Sequence, residues 1–143
     1  MNGNEMMSIC FDKFKIPIHT DTVKRLIREE IAQLSRKTGL PGDRRPIIFV
    51  EDQTPELACF VYDGSGRGRP LYFQFSLPWM SRLSAHQIVD TVRHEFAHYV
   101  RLVRHGITRE KGGHDKKWME ICVELGCTPD RYHHEHLTRI LFP

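Results

Sequence analysis

The residues best suited to chemistry in this chain are two histidines and a glutamate in the segment His94-Glu95-Phe96-Ala97-His98. In a helix, residues four positions apart lie one turn above each other, so both imidazoles can reach one metal ion. Glu95 is then placed to take a proton from a water molecule that the metal activates. The spacing therefore predicts a Zn²⁺ site in which His94 and His98 are metal ligands and Glu95 is the catalytic base.

The helix that carries these residues is predicted from Ser84 to about Arg104. Ser84 and Gln87 form a capping-box pair, and Gly106 follows the helix end. On a helical wheel the apolar residues form one stripe, and the two histidines lie on the opposite side. The stripe consists of Ala85, Ile88, Val89, Val92, Phe96, Tyr99, Val100 and Val103. Core packing poorly explains such histidines, which favours a metal site over solvated surface residues.

A catalytic zinc ion usually has three protein ligands, so a third is needed. A shorter helix is predicted from about Asp115 to Leu125, and its apolar stripe is formed by Trp118, Ile121, Cys122 and Leu125. His114 points with this stripe, whereas Glu120 and Glu124 point away from it. Gly112 and Gly113 allow a sharp turn just before it. We favour His114 as the third ligand and keep Glu120 as the alternative.

The remaining elements predict an α+β domain. An N-terminal helix is expected from Thr20 or Asp21, either of which can cap it, to Gly39. Three strands are predicted at 47–50, 58–62 and 71–77, because these runs are rich in β-branched and aromatic residues. A glycine- and arginine-rich loop suits a hairpin between the last two strands. The sequence thus predicts an N-terminal helix, a small sheet of about three strands, an active-site helix and a C-terminal helix.

Composition limits the broad class of the protein. The 143 residues suit one domain, 1–143, with its core at about 20–130. No apolar run reaches the roughly 20 residues of a membrane helix, and the N-terminus does not read as a secretory signal. The four cysteines include no C-x-x-C pair and are interpreted as reduced thiols of a cytoplasmic protein. A net charge of +3 permits nucleic-acid binding without requiring it.

Three motifs occur in order along the chain: His94-Glu95-x-x-His98, Gly113-His114-Asp115-x-x-Trp118 and Leu125-Gly126-Cys127-Thr128-Pro129. With the strand at 71–77, they resemble the SprT-like (Spartan-type) zinc metallopeptidase domain over about 47–129. The resemblance implies a zincin-like fold, zinc bound by His94, His98 and His114, Glu95 as general base, and protein or peptide substrates. It implies action on DNA-associated proteins only loosely, because the zinc ribbon that many relatives append is not found in this sequence.

The alternative function is a non-catalytic DNA-binding module with a structural or vestigial zinc site. Its basic surface would come from Arg44, Arg45, Arg67, Arg69, Arg82, Arg93, Arg101, Arg104, Arg109, Lys116 and Lys117. Phosphate contacts of this kind weaken steeply with salt. Coordination separates the two functions, since a structural zinc has four protein ligands and a catalytic zinc keeps one open position.

Two further groups of residues have open interpretations. His133, His134 and His136 surround Glu135 and suit either a second metal site or a polar terminal segment. Arg101 and His105 could stabilise the oxygen of a tetrahedral intermediate, or they could be solvated near the helix end. The oligomeric state, the physiological substrate and the identity of the native metal do not follow from the sequence.

Overall fold

The computed structural model of the chain describes residues 18–52 and 54–141. The helices are α1 (Thr20–Thr38), α2 (Leu77–Met80), α3 (Ala85–His105), α4 (Lys116–Leu125) and α5 (His133–Leu141). The strands are β1 (Ile47–Val50), β2 (Ala58–Asp63) and β3 (Arg69–Ser76). This arrangement confirms the predicted α+β class with its small sheet. The single-domain boundaries stay a prediction, and the segment 1–17 lies outside the described residues.

The three-stranded sheet has the order β1-β3-β2, with β3 in the centre. β1 runs parallel to β3 and β2 runs antiparallel to it, so that Phe73 of β3 is flanked by Ile47 and Phe60. Phe73 and Phe75 of β3 are fully buried and Gln74 between them is only partly buried, as the alternation of a strand places them; Ser76 at the end of β3 is buried as well. β2 forms one edge of the sheet, and residues of β2 line the cleft described below.

The core lies between the sheet and the pair α1 and α3. Phe96 of α3 stacks on Phe73 with ring centroids 5.9 Å apart, and Tyr99 meets the same ring edge-on. α1 adds a buried stripe of Val23, Ile27, Ile31 and Leu34. Arg93 of α3 pairs with Glu30 of α1 at 2.8 Å. These contacts hold α3 firmly, which is what a helix carrying a metal site requires.

The helices differ from the prediction made from the sequence at three places. α1 begins at Thr20 with His19 as its N-cap, because the His19 Nδ1 accepts a hydrogen bond from the Asp21 amide at 3.2 Å. The predicted caps Thr20 and Asp21 therefore lie inside the helix. After β3 the chain forms the short helix α2, which was not predicted; Pro78 fits its first turn, where an amide has no helical partner. Asp115, predicted to begin α4, is its N-cap.

Both sides of α3 are covered, and this changes the interpretation of its histidine face. The aromatic part of the stripe packs on the sheet as predicted, but Ala85 and Val103 at its ends are exposed. On the opposite side, α4 and α5 cover the helix and leave His94 only 3% exposed. His94 is therefore buried between helices, whereas His98 and His114 are only partly buried. Within the described ranges, no helix has the length and apolarity needed to cross a membrane.

Candidate metal centre

Three imidazoles from two elements meet beside α3. His94 and His98 lie one turn apart on α3, and His114 comes from the turn that precedes α4. One ligand nitrogen from each of them lies within 4.8 Å of the other two. The ring centroids are separated by 5.2 Å for His94 and His98, 5.2 Å for His94 and His114, and 4.8 Å for His98 and His114. The structure thus brings together the three residues that the sequence predicted as ligands.

The donor set fits a tetrahedral ion. The Nε2 atoms of His94 and His114 lie 3.3 Å apart. Two nitrogens bound to one zinc ion at about 2.0–2.1 Å with tetrahedral angles are separated by about 3.3 Å. A hydrogen bond between two imidazoles can have a similar length, so the third ring is what makes the group specific. Imidazole nitrogens in such a group suit zinc and also copper, iron and nickel.

The turn before α4 is shaped to deliver His114. Gly112 and Gly113 have φ angles of 76° and 74°, a left-handed conformation that favours glycine. A Cβ atom on Gly113 would lie only 3.3 Å from the Nδ1 of His98, so the backbone passes close to the rings. The Trp118 indole packs against all three imidazoles at 4.6 to 5.3 Å, and its Nε1 donates to the His94 carbonyl at 3.5 Å.

Arg101 and Asp115 form a clamp that ties the end of α3 to the start of α4. The Arg101 Nε and Nη2 donate to the Asp115 carboxylate at distances down to 2.7 Å, and Nη1 donates to the Gly106 carbonyl at 2.8 Å. Asp115 also accepts from the Trp118 amide and the Thr108 hydroxyl. Arg101 is 8% exposed, so it is neither solvated nor free to act on a substrate, contrary to both predicted roles. These bonds, mainly the one from Arg101, hold the pKa of Asp115 well below its usual range.

Glu95 lies next to His94 in the histidine group and is 2% exposed. Burial alone would raise its pKa, but contact with His134 and the nearby imidazoles lowers the pKa of Glu95 to about 2. Its Oε1 lies 3.1 Å from the His134 Nε2 and 3.9 Å from the His94 Nε2. The carboxylate is thus held ionised in an enclosed site, which is the state that a proton acceptor needs.

Burial keeps the three grouped histidines neutral. It is the main reason that the pKa of His98 falls to about 4 and that the pKa values of His94 and His114 are also lowered. Neutral imidazole is the form that binds a metal ion, so the environment favours the ligand state over the protonated one.

The histidines of α5 have separate partners. The His133 Nε2 lies 2.7 Å from the Thr91 hydroxyl, while the His136 Nδ1 lies 2.7 Å from Asp130. His134 faces Glu95. Among the described residues, the three histidines are not brought together as one metal group around Glu135; only His134 joins a candidate group, with His94 and Glu95. The terminal segment is a helix that contacts α3.

Sequence reasoning missed His134 as part of the site. The available signal in the sequence was the four-residue spacing of His133 and Leu137, which places them one helical turn apart. In the structure both side chains are buried. That spacing indicates a packed helix, but it does not reveal which residue of another helix the neighbouring His134 will meet.

The other candidate residues lie elsewhere. Glu120 is exposed and does not join the histidine group, so the alternative third ligand is not supported; Glu124 pairs with Arg104 at 2.7 Å on the surface. His105 is exposed at the end of α3, as expected for a solvated position. Among the described residues, Cys59, Cys122 and Cys127 form no disulfide; Cys10 lies outside the described residues, and the reduced state of the four cysteines stays a prediction.

A cleft of about 460 Å³ opens over the histidine group. One wall is the edge strand β2 with Phe60 and Tyr62; the last turn of α3 adds Leu102, and the loop after α3 adds Ile107. The other wall comes from the loop before α4 and the start of α5. His94, Glu95, His98, His114 and His134 all line this space, so a ligand that enters the cleft reaches every group described above.

Comparison with known proteins gives one match. Residues 62–137, more than half of the chain, match the model of the SprT-like family. The matched segment runs from β2 into α5 and contains every histidine of the site as well as Glu95. Comparisons with curated proteins and with solved structures gave no significant match.

Proposed function

The chain belongs to the SprT-like family of metallopeptidase-like domains, and on this premise we propose that it is a zinc-dependent metallopeptidase. The observation that carries the proposal is the meeting of His94, His98 and His114 within 4.8 Å beside the buried carboxylate of Glu95. Three imidazoles and an adjacent general base are the donor set and the catalyst that zinc peptidases use.

His94, His98 and His114 would hold the ion, and Glu95 would move the proton. A bound zinc ion would supply Lewis acidity, which polarises a peptide carbonyl and lowers the pKa of a nearby water. A carboxylate oxygen of Glu95 would accept the proton of the attacking water and pass it to the leaving nitrogen of the scissile peptide bond. Enclosure between α3, α4 and α5 strengthens these electrostatic effects because little water screens them.

The cleft supports an extended peptide as substrate. β2 is an edge strand, and an exposed strand edge can bind a peptide through main-chain hydrogen bonds. The apolar side chains of Phe60, Leu102 and Ile107 beside the histidines offer room for a hydrophobic residue of that peptide. A protein segment that is unfolded or exposed would satisfy these requirements better than a compact domain.

Two observations weigh against the non-catalytic DNA-binding alternative. Among the described residues, no further side chain joins the three-histidine group, whereas a structural zinc site has four protein ligands. Part of the predicted basic surface is neutralised, since Arg93, Arg101 and Arg104 each pair with a carboxylate. Binding of DNA and action on DNA-associated proteins remain secondary proposals. A cytoplasmic location is also proposed, because the free thiols suit a reducing compartment.

Glu95→Gln separates metal binding from catalysis. The purified variant should bind one zinc ion per chain, as the wild type does, but should lose at least about 100-fold of casein hydrolysis, because an amide cannot act as a base. Glu120→Gln, on the exposed face of α4, is the matched control and should retain full activity. Wild-type cleavage that resists a chelator, or cleavage unchanged in Glu95→Gln, would refute the proposal.

His114→Ala tests the ligand set. Zinc affinity should fall sharply, since only two imidazoles remain, while Glu120→Ala should bind zinc as the wild type does. Zinc content after dialysis and competition with a chromophoric chelator measure this difference. A salt-dependent DNA-binding assay on the same preparations tests the alternative, which predicts tight DNA binding without proteolysis.

A further inference from the structure

We propose that His134 is a positioning residue for Glu95: its Nε2–H holds one carboxylate oxygen and leaves the other for the attacking water. The inference rests on the proposed function, because it assigns a role within that reaction. It extends the site beyond the three-histidine group and the glutamate to a residue of α5.

The contact between His134 and Glu95 is direct. The His134 Nε2 lies 3.1 Å from the Glu95 Oε1, and both atoms are enclosed by α3 and α5. This nitrogen is buried, and among the described residues it has no hydrogen-bond partner of standard geometry; the Glu95 Oε1 lies within ion-pair distance of it. A buried ring nitrogen without a partner is costly, so the adjacent carboxylate is the group that accounts for its position.

The location of His134 excludes it from the three-histidine group. Its ring lies 5.0 Å from that of His94. Its ligand atom lies within 4.8 Å of those of His94 and Glu95, a set that could itself hold a metal ion, but it does not join the group of His94, His98 and His114. It therefore approaches the site from the side of the base. At 29% side-chain exposure it also borders the cleft, so the pair that it forms with Glu95 faces the space where substrate would lie.

α5 is anchored in a way that fixes His134. The preceding residue, His133, contacts Thr91 at 2.7 Å and Asp90 at 3.5 Å, both on α3 one turn before Glu95. Leu137 packs in the core one turn later on α5. The helix therefore docks through its neighbours on either side of His134. Its ring is held against the carboxylate, as in the outer contacts that orient groups at metal sites.

His134→Ala should lower kcat by about 10- to 100-fold, the range for loss of an outer-shell partner, with KM and zinc content nearly unchanged. His134→Gln offers an amide N–H in place of the ring N–H and should recover part of the lost kcat. His134→Phe keeps the volume without a donor and should recover none. His136→Ala is the control, because it removes a histidine that anchors the same turn of α5 through Asp130, and its kcat should match the wild type.

A second readout does not depend on activity. Long-range ¹H–¹⁵N spectra at one pH, with zinc-free and zinc-loaded protein, should show a protonated Nε2 for His134. That signal, assigned from its absence in His134→Gln, should move in Glu95→Gln and stay in place in Glu120→Gln.

Four results would overturn the proposal: a kcat within twofold of wild type in His134→Ala, equal activity of the Gln and Phe variants, loss of zinc in His134→Ala, or an unprotonated Nε2. Loss of zinc would make His134 a ligand. A wild-type chain that binds zinc but cleaves nothing would refute the peptidase function. In that case the spectra still decide whether His134 donates to Glu95.

Discussion

Replacing Asp115 by asparagine should destabilise the fold through a buried charge. Asparagine is a good N-cap, so Asp115→Asn can keep the hydrogen bond from the Trp118 amide. It removes the negative charge and puts an NH2 donor where Oδ2 accepts from Arg101 and Thr108. Arg101 then remains 8% exposed with no carboxylate, although the Gly106 carbonyl still accepts from it at 2.8 Å. Breaking a buried ion pair on one side costs about 3–5 kcal/mol. Because one acceptor survives, we expect the lower end, about 3 kcal/mol.

Thermal unfolding of the zinc-free protein measures this effect without a contribution from metal binding. For a chain of this size, about 3 kcal/mol corresponds to a fall in Tm of about 10 °C. Glu124→Gln is the matched control, since it breaks an equally short pair with Arg104 that is much more exposed. An exposed pair contributes about 1 kcal/mol or less, so the control should lose no more than about 4 °C.

Equal falls in Tm for the two variants would refute the reasoning, because they would show that burial of Arg101 adds nothing to the strength of its pair. If Asp115→Asn lowers the Tm as much as Asp115→Ala does, the inference that asparagine keeps the N-cap hydrogen bond is refuted. Zinc affinity should also decrease in Asp115→Asn, because the clamp positions His114.

Two further predictions concern the glycine turn and acid stability. Gly113→Ala should lower the unfolding free energy by about 1–2 kcal/mol, the cost of a left-handed non-glycine residue, and should weaken zinc binding because its Cβ lies 3.3 Å from His98. Gly64→Ala, with nothing near its Cβ, should do neither in the same denaturation and zinc-competition assays. Burial raises the pKa of Asp130, but bonds from the Tyr132 amide and His136 outweigh it, so the folded-state pKa is lowered. The stabilisation that Asp130 contributes is therefore complete above the pKa of about 3.9 that its carboxyl has in the unfolded state. It is lost as the pH falls through the lower pKa of the folded state. The Tm difference between wild type and Asp130→Asn should shrink from about pH 6 to about pH 3, and a constant difference would contradict the assignment.

The three-histidine group was predictable because its signals are local. His94 and His98 are related by helical spacing, and His114 by its place beside two glycines and at the start of an amphipathic helix. The same kind of information located the capping box of α3 and the alternating strand β3. Each of these patterns is complete within about one element of the chain.

The rest of the site depends on contacts between distant residues. Glu95 and His134 are brought together only by the docking of α5, and no spacing along the chain specifies that contact. The clamp of Arg101 and Asp115 is hidden for a similar reason, since a polar residue at a helix end is usually solvated. The short helix α2 is missed because its apolar residues continue the hydrophobic run of β3.

The contacts of Arg101 with Asp115 and with the Gly106 carbonyl affect how the site would bind a metal ion. Because the clamp makes no use of a metal, the rings can be preorganised before zinc arrives. Little conformational entropy then remains to be lost on loading, in contrast to zinc fingers, whose chains order only with the ion. We therefore expect the empty and the metal-loaded forms of this pocket to share one backbone conformation.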